Sequence, residues 1–292
     1  MRTFDTISSL RAAVRAARGD RRAIGFVPTM GALHAGHVAL LQRARAECDY
    51  VVMSVFVNPT QFGPTEDFQK YPRDLREDSA TAQSAGVDAL FAPTEDEMYP
   101  DGPRVTVDVP EVASRWEGAV RPGHFCGVAT VCAKLFNIVQ PDRAYFGQKD
   151  YQQLKVIQRL VFDLFLPLTV VAVPTLREDD GLAMSSRNRF LSAEERAAST
   201  VLNSALRAAL DRFRTGEQSA SALNAVLRER LAEEPRAQID YAVVVNAETL
   251  EPAVGAIAGR AVALIAARLG AVRLIDNMLL DNGAESRPTA SP

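Results

Sequence analysis

The chain has 292 residues, 47% of them apolar, enough for one large domain or two modest ones with real cores. Its 33 basic and 36 acidic residues leave a net charge of -3, which argues against general binding to nucleic acid or to an anionic membrane surface. Cys48, Cys126 and Cys132 form neither a CxxC pair nor a disulfide framework, so reduced, buried thiols are expected. The opening "MRTFDTISSLRAAVRAAR" lacks the apolar centre of a secretory signal. No run nears the about 20 apolar residues of a membrane span, and a cytoplasmic location is expected.

In chain order, "AIGFVP" (23–28) reads as a short strand ended by proline, and "HVALLQRARAEC" has the spacing of a helix. "YVVMSVFVNP" (50–59) is a nearly unbroken β-branched run, as expected of a parallel strand buried on both faces. A helix is expected over 75–84, then the strands "DALFAP" and "VTVDVP". "GVATVCAKLFNIVQ" reads as an apolar helix, "RAYFG" as a strand, "DYQQLKVIQRLVFDLF" as a helix and "LTVVAVP" as a strand. This alternation predicts an α/β fold, a Rossmann-like doubly wound parallel sheet.

After Pro174 the pattern changes. Ser192 and Glu195 make a capping box that opens a long helix, "SALNAVLRERLAEE" is a second helix, and "IDYAVVVNA", "RAVALIAARL" and "VRLIDNMLL" are three strands. Helices followed by strands predict a smaller α+β C-terminal domain. The expected organisation is 1–175 for the nucleotide-binding domain and 176–281 for a small lid domain. Residues 282–292, small, polar and proline-containing, are expected to fray.

Five motifs fall at turns between these elements. "PTMGALHAGH" holds two of the three histidines, His34 and His37, where the first strand meets a helix. A helix N-terminus there offers free N–H groups and a positive dipole end to phosphate, and Gly36 removes a side chain where a nucleotide must approach. Histidines three apart project to one side and can donate to phosphate oxygens. Zinc is the rival reading, but no third ligand stands at metal spacing nearby.

"FVNPTQF" places the neutral donors and acceptors Asn58 and Gln61 after the second long strand, where they can grip hydroxyl and carboxylate oxygens. "RPGHF" puts His124 beside Arg121, either as a second phosphate-facing loop or as a simple helix start. In "YFGQKDYQQL" a strand ends at Gly147, Lys149 offers a compact charge to phosphate, and Gln153 lies one turn on. Asp150 either caps that helix or holds a ribose hydroxyl. "GLAMSSRN" supplies Ser185 and Ser186 hydroxyls and the Arg187 fork at the domain junction.

In order and spacing these motifs resemble those of the pantoate–β-alanine ligase family, within the wider HxGH nucleotidyl-transfer group, over about Met1 to Leu280. The resemblance implies ATP- and Mg²⁺-dependent condensation of D-pantoate with β-alanine, through a pantoyl adenylate, with release of AMP and pyrophosphate. It implies that Met30, Gly31, Ala32, Leu33, His34, Ala35, Gly36 and His37 contact ATP, with His37 as the proton donor and His34 beside it. Gly147, Gln148, Lys149 and Asp150 would also meet ATP, with Lys149 on the phosphates. Leu176 would touch adenine through its backbone, and Met184, Ser185, Ser186 and Arg187 would close over the triphosphate. Gln61 and Gln153 would hold pantoate, Gln61 beside the β-alanine site, with Asn58 flanking them. Mg²⁺ would ride on ATP oxygens, without a protein metal ligand, and a homodimer is expected. Ala35, Thr60 and Gln148 depart from residues frequent in the family. The nearest rivals are a nucleotidyltransferase that stops at the nucleotide adduct, and a non-catalytic ATP-binding module.

Overall fold

The computed structural model describes residues 1–63 and 68–281. The expected tail, 282–292, lies outside the described residues. The chain divides into two compact units, Met1–Arg177 with Met184–Ser186, and Glu178–Ala183 with the residues from Arg187 onward.

The first unit is built on six parallel strands: β1 (Arg2–Phe4), β2 (Ile24–Thr29), β3 (Tyr50–Val55), β4 (Ala89–Phe91), β5 (Arg143–Gly147) and β6 (Thr169–Val173). Their order in the sheet is β1-β4-β3-β2-β5-β6, and each neighbouring pair is parallel. The longer helices are α1 (Ile7–Gly19), α2 (Ala35–Glu47) and α3 (Leu75–Ser84). After three single-turn helices, α4 (Glu95–Met98), α5 (Pro110–Ala113) and α6 (Glu117–Val120), come α7 (His124–Val139) and α8 (Tyr151–Asp163).

Alternate side chains of the central strands leave on opposite faces, and both faces are covered. On one face Val27, Val51, Met53 and Leu90 pack with Leu41 and Ala44 of α2. On the other, the rings of Phe26 and Phe146 each meet Phe136 of α7 edge to face, at 6.4 Å and 6.3 Å. The chain leaves β2 toward β3, whereas β5 and β6 lie on β2's other side. The switch point therefore falls between β2 and β5, where a doubly wound sheet opens a crevice beyond its strand ends.

One expectation fails in this unit. "VTVDVP" is not a strand: the Val107 N–H donates to the Thr130 hydroxyl on α7 (2.9 Å) rather than to a neighbouring strand. β-Branched residues favour a strand only where a partner edge exists. The edge beside β4 is taken by β1, too short to stand out in the sequence.

In the second unit, α9 (Ala193–Ala198), α10 (Val201–Arg214) and α11 (Ala220–Ala232) precede an antiparallel meander of β7 (Ala237–Asn246), β8 (Ala261–Leu269) and β9 (Val272–Leu280). Leu202 and Leu206 of α10 and Leu223 and Leu227 of α11 are buried in one cluster with Val244, Ala263 and Ile265 of the sheet. The Ser192–Glu195 capping box forms. The long helix expected after it is broken, because the Ser199 and Thr200 hydroxyls donate back to the Arg196 and Ala197 carbonyls (2.7 and 2.9 Å). Among the described residues no helix is long and apolar enough to cross a membrane.

Candidate active site

The loop from β2 into α2 is pinned by buried groups. The Thr29 hydroxyl donates to the Ser54 carbonyl (2.7 Å) and accepts from the Gly31 N–H (3.2 Å). Gly31 and Ala32 both have positive φ, +87° and +52°. The N–H groups of Ala32 and Leu33 then point to the carboxylate of Asp78 on α3, at 3.1 and 2.8 Å. Asp78 is 3% exposed, and a Cβ on Gly31 would stand 2.7 Å from its Oδ2. No local signal marks this aspartate: on α3 it reads as one of two acids suited to a helix N-terminus.

His34 is the N-cap of α2, one residue earlier than a first-turn position. Its Nδ1 accepts from the Gly36 N–H (3.1 Å), and His37 Nδ1 accepts from the His34 N–H (3.3 Å), a reciprocal cap made by two imidazoles. An Nδ1 that accepts leaves the ring proton on Nε2. The two rings lie 4.1 Å apart. A Cβ on Gly36 would fall 2.8 Å from His34 Cε1, so this glycine first makes room for the histidine ring. Ala35 is exposed.

Burial, and after it the neighbouring His34, lower the His37 pKa to about 3, against the pull of Asp150 and with a further push from Lys149. His34, His37, Lys149 and Asp150 thus share one electrostatic neighbourhood at the ends of β2 and β5. The unfolded chain takes up this proton near pH 6.5 and the folded site only near 3. His37 therefore costs no stability above pH 6.5 and removes stability as the pH falls through that window. With three histidines in the chain, an imidazole ¹⁵N titration resolves this directly. His37 is expected to keep Nε2–H neutral shifts down to about pH 5; a midpoint near 6.5 would refute the buried neutral state.

Gly147 ends β5, and Gln148–Asp150 form a single turn before α8. Asp150 makes no capping hydrogen bond to α8, and its Oδ1 meets Lys149 Nζ at 3.3 Å, so the capping alternative is not the one adopted. Gln153 is half-buried on the first turn of α8, next to Gln152, which is tied to the Val112 and Arg115 carbonyls at 2.8 Å. The Met184 N–H donates to the Leu176 carbonyl (3.0 Å), and Met184 Cβ lies 3.9 Å from the position of a Cβ on Gly36. The loop of Leu176 and Met184 therefore borders the HxGH turn. Ser185 and Ser186 follow within the first unit, and Arg187 belongs to the second.

Beyond β3, Gln61 is 7% exposed and its Nε2 donates to Met30 Sδ (2.9 Å). His124 settles the question left open by "RPGHF". It begins α7, is 8% exposed, and Nδ1 donates to the Gln61 carbonyl (2.9 Å) while Nε2 meets an Arg121 guanidinium nitrogen (3.0 Å). It faces inward as a brace for Gln61. Cys48 and Cys132 are buried, Cys126 is half-buried, and all three are free thiols.

A family model described as pantoate–β-alanine ligase matches residues 2–279. A pantothenate synthetase of Acidobacterium capsulatum is 54% identical over 291 residues, covering 96% of this chain and 97% of that protein. The chain belongs to the pantoate–β-alanine ligase family. Its fold agrees with a crystal structure of pantothenate synthetase from Thermus thermophilus, with TM-score 0.90, 52% identity and coverage of 95% of this chain and 99% of that one. A pantoate–β-alanine ligase from Francisella tularensis, complexed with β-γ ATP and β-alanine, gives TM-score 0.78 at 35% identity, covering 96% and 98%. The chain is an AMP-forming acid–amine ligase. It condenses D-pantoate with β-alanine, using ATP, through a pantoyl adenylate to pantothenate, AMP and pyrophosphate.

Proposed function

We propose that this reaction runs in the crevice beyond β2 and β5, with the histidine pair and Lys149 on the ATP phosphates and Gln61 and Gln153 on pantoate. The observation that carries this reading is the reciprocal imidazole cap. Each ring spends its Nδ1 on a backbone N–H, which puts the ring proton on Nε2.

The pantoate carboxylate attacks the α-phosphorus and pyrophosphate leaves. Charge grows on phosphate oxygens as this happens. Neutral donors fixed beforehand stabilise that charge without reorganising, and Lys149 adds a full positive charge. His37 is the hydrogen-bond donor to that charge, in place of the expected proton donor, and His34 is its neighbour. The β-alanine amine then attacks the acyl carbon and AMP departs, so no protein nucleophile is required.

Met30 to Leu33, with Ala35 and Gly36, carry the backbone along the nucleotide, and Gly147 and Gln148 do the same after β5. Asp150 holds the ribose, Leu176 meets adenine through its backbone, and Met184, Ser185 and Ser186 lie along the triphosphate. Arg187 is assigned there on its motif. Mg²⁺ enters on ATP oxygens, the usual habit of this ion. Among the described residues no group of three or more His, Cys, Asp or Glu is placed to hold a metal. A cytoplasmic homodimer completes the reading.

Pyrophosphate release tests it, measured with ATP and Mg²⁺ and with D-pantoate, β-alanine or both. Sustained release with both, matched by equal AMP, is expected. With pantoate alone, release is expected to stop near one equivalent per site. Release that ignores both substrates would defeat the assignment.

Gly127 offers a test of the acid site. Alanine in place of glycine inside a helix ordinarily gains up to about 1 kcal/mol. Here the new Cβ would lie 2.6 Å from the Thr60 carbonyl carbon and 2.7 Å from Gln61 Cα. Gly127→Ala is expected to lower the Tm and to raise the KM for pantoate about tenfold, judged by the scale of overpacking penalties. A raised Tm with unchanged kinetics would show that Gln61 is not held from this side.

A further inference from the structure

Asn58, expected beside the substrate, has its hydrogen-bonding capacity committed within the protein. It is 1% exposed. Its Nδ2 hydrogens go to the Gly127 carbonyl and to Gln61 Oε1, both at 3.2 Å. Its Oδ1 accepts from the Tyr99 hydroxyl (2.9 Å), the Thr60 hydroxyl (3.0 Å) and the Thr60 N–H (3.4 Å). A carboxamide has two N–H donors and one carbonyl oxygen. Both donors are spent, and the oxygen has three hydrogens directed at it.

Shape alone does not decide which end of a carboxamide is oxygen; its partners do. The Gly127 carbonyl can only accept and so demands the nitrogen end. The two hydroxyls supply hydrogens at the other end. The Tyr99 ring is 5% exposed, packs 6.2 Å from the Phe56 ring and has Lys134 Nζ 4.8 Å over its face. Burial raises its pKa, so the hydroxyl keeps its proton. With Asn58 held in this sense, its N–H must meet an oxygen on Gln61. The Gln61 NH₂ is then turned the other way, on the Met30 side.

We propose that Tyr99, together with Thr60, is a positioning residue for the acid substrate, acting through Asn58 to hold Gln61 with Oε1 inward and its NH₂ toward the substrate. The site then offers a donor and reads an oxygen acceptor at that point, as a hydroxy acid provides and an ammonium group does not. This rests on the reading that Gln61 binds pantoate. Thr60 supplies the second hydroxyl of this hold.

The experiment measures D-pantoate affinity by calorimetry in the presence of Mg²⁺ and the α,β-methylene analogue of ATP. The variants are Tyr99→Phe, Thr60→Val, the double variant and Gln61→Ala, with affinity for the ATP analogue and Tm measured for each. Phenylalanine removes the hydroxyl of Tyr99, and valine puts a methyl group of similar size in place of that of Thr60. Each single change is expected to weaken pantoate by about threefold and the pair by about tenfold, with ATP-analogue affinity within twofold of the parent. That range corresponds to the net worth of one and two hydrogen bonds. If the double variant keeps parental pantoate affinity while Gln61→Ala loses it, the positioning role is overturned and the Gln61 reading stands. If Gln61→Ala also binds pantoate normally, that reading falls and takes the inference with it. Equal weakening of pantoate and nucleotide with a lowered Tm would show a packing role only, and would overturn the proposal.

Discussion

Replacing His37 with alanine is expected to lower kcat by about 10²-fold or more while leaving ATP affinity within a few-fold, the scale of losing one transition-state donor. The reason lies in the tautomer. His37 spends Nδ1 on the His34 N–H and keeps its proton on Nε2, and burial holds the ring neutral well below the usual histidine range. It therefore acts as a fixed dipole and carries no charge at neutral pH. A neutral donor contributes little to binding the ground-state phosphates and most where charge has grown, which places its loss in kcat. The loss is expected to stay constant from about pH 6 to 8, because the residue does not titrate there. Single-turnover adenylation, read as pyrophosphate formed per site, isolates the step. An unchanged rate, or an equal loss in ATP affinity, would remove His37 from the transition-state donor role.

The second large effect belongs to Asp78. Its carboxylate takes the N–H groups of Ala32 and Leu33 just before the histidines. Asp78→Ala strands both buried donors, at about 1–3 kcal/mol each. The loop then loses the anchor that holds Gly31 and Ala32 at positive φ, and the imidazole pair moves with it. A displacement of about 1 Å at a reacting group costs on the order of 10²-fold in rate. The expected outcome is a loss of that size in kcat/KM for ATP, with a Tm lowered by several degrees. Asp78→Asn keeps one oxygen acceptor but turns an NH₂ toward one of the two N–H groups, and is expected to fall between the parent and the alanine variant. Full activity in Asp78→Ala at unchanged Tm would show that the loop holds itself.

Much of the candidate site was legible because the motifs sit where strand patterns stop and helix patterns begin. "PTMGALHAGH" and "YFGQKDYQQL" each follow an apolar run, and a parallel sheet gathers such ends at one edge. His34, His37, Lys149 and Asp150 are accordingly brought together. The braces were hidden for a different reason. Asp78, Tyr99 and His124 lie 41, 62 and 87 positions after His37, in segments whose local patterns suit a helix start or a turn. Their function comes from hydrogen bonds that cross between elements, which no local spacing encodes.

Periodicity and turn residues by themselves determined the alternation of strands and helices, the parallel sheet, the change to α+β character after Pro174 and the turns on which the motifs sit. These are properties of near neighbours along the chain, set by which faces must be buried and where backbone groups need caps. The ligase reading came from the resemblance of those motifs to a family. Only the tertiary structure decided that "VTVDVP" has no partner edge, that the edge belongs to Arg2–Phe4, that Gly36 makes room for an imidazole and that Asn58 spends its hydrogen bonds inside the protein. Each of these depends on what lies across from a residue after folding, and on a hydrogen-bond partner that burial makes obligatory.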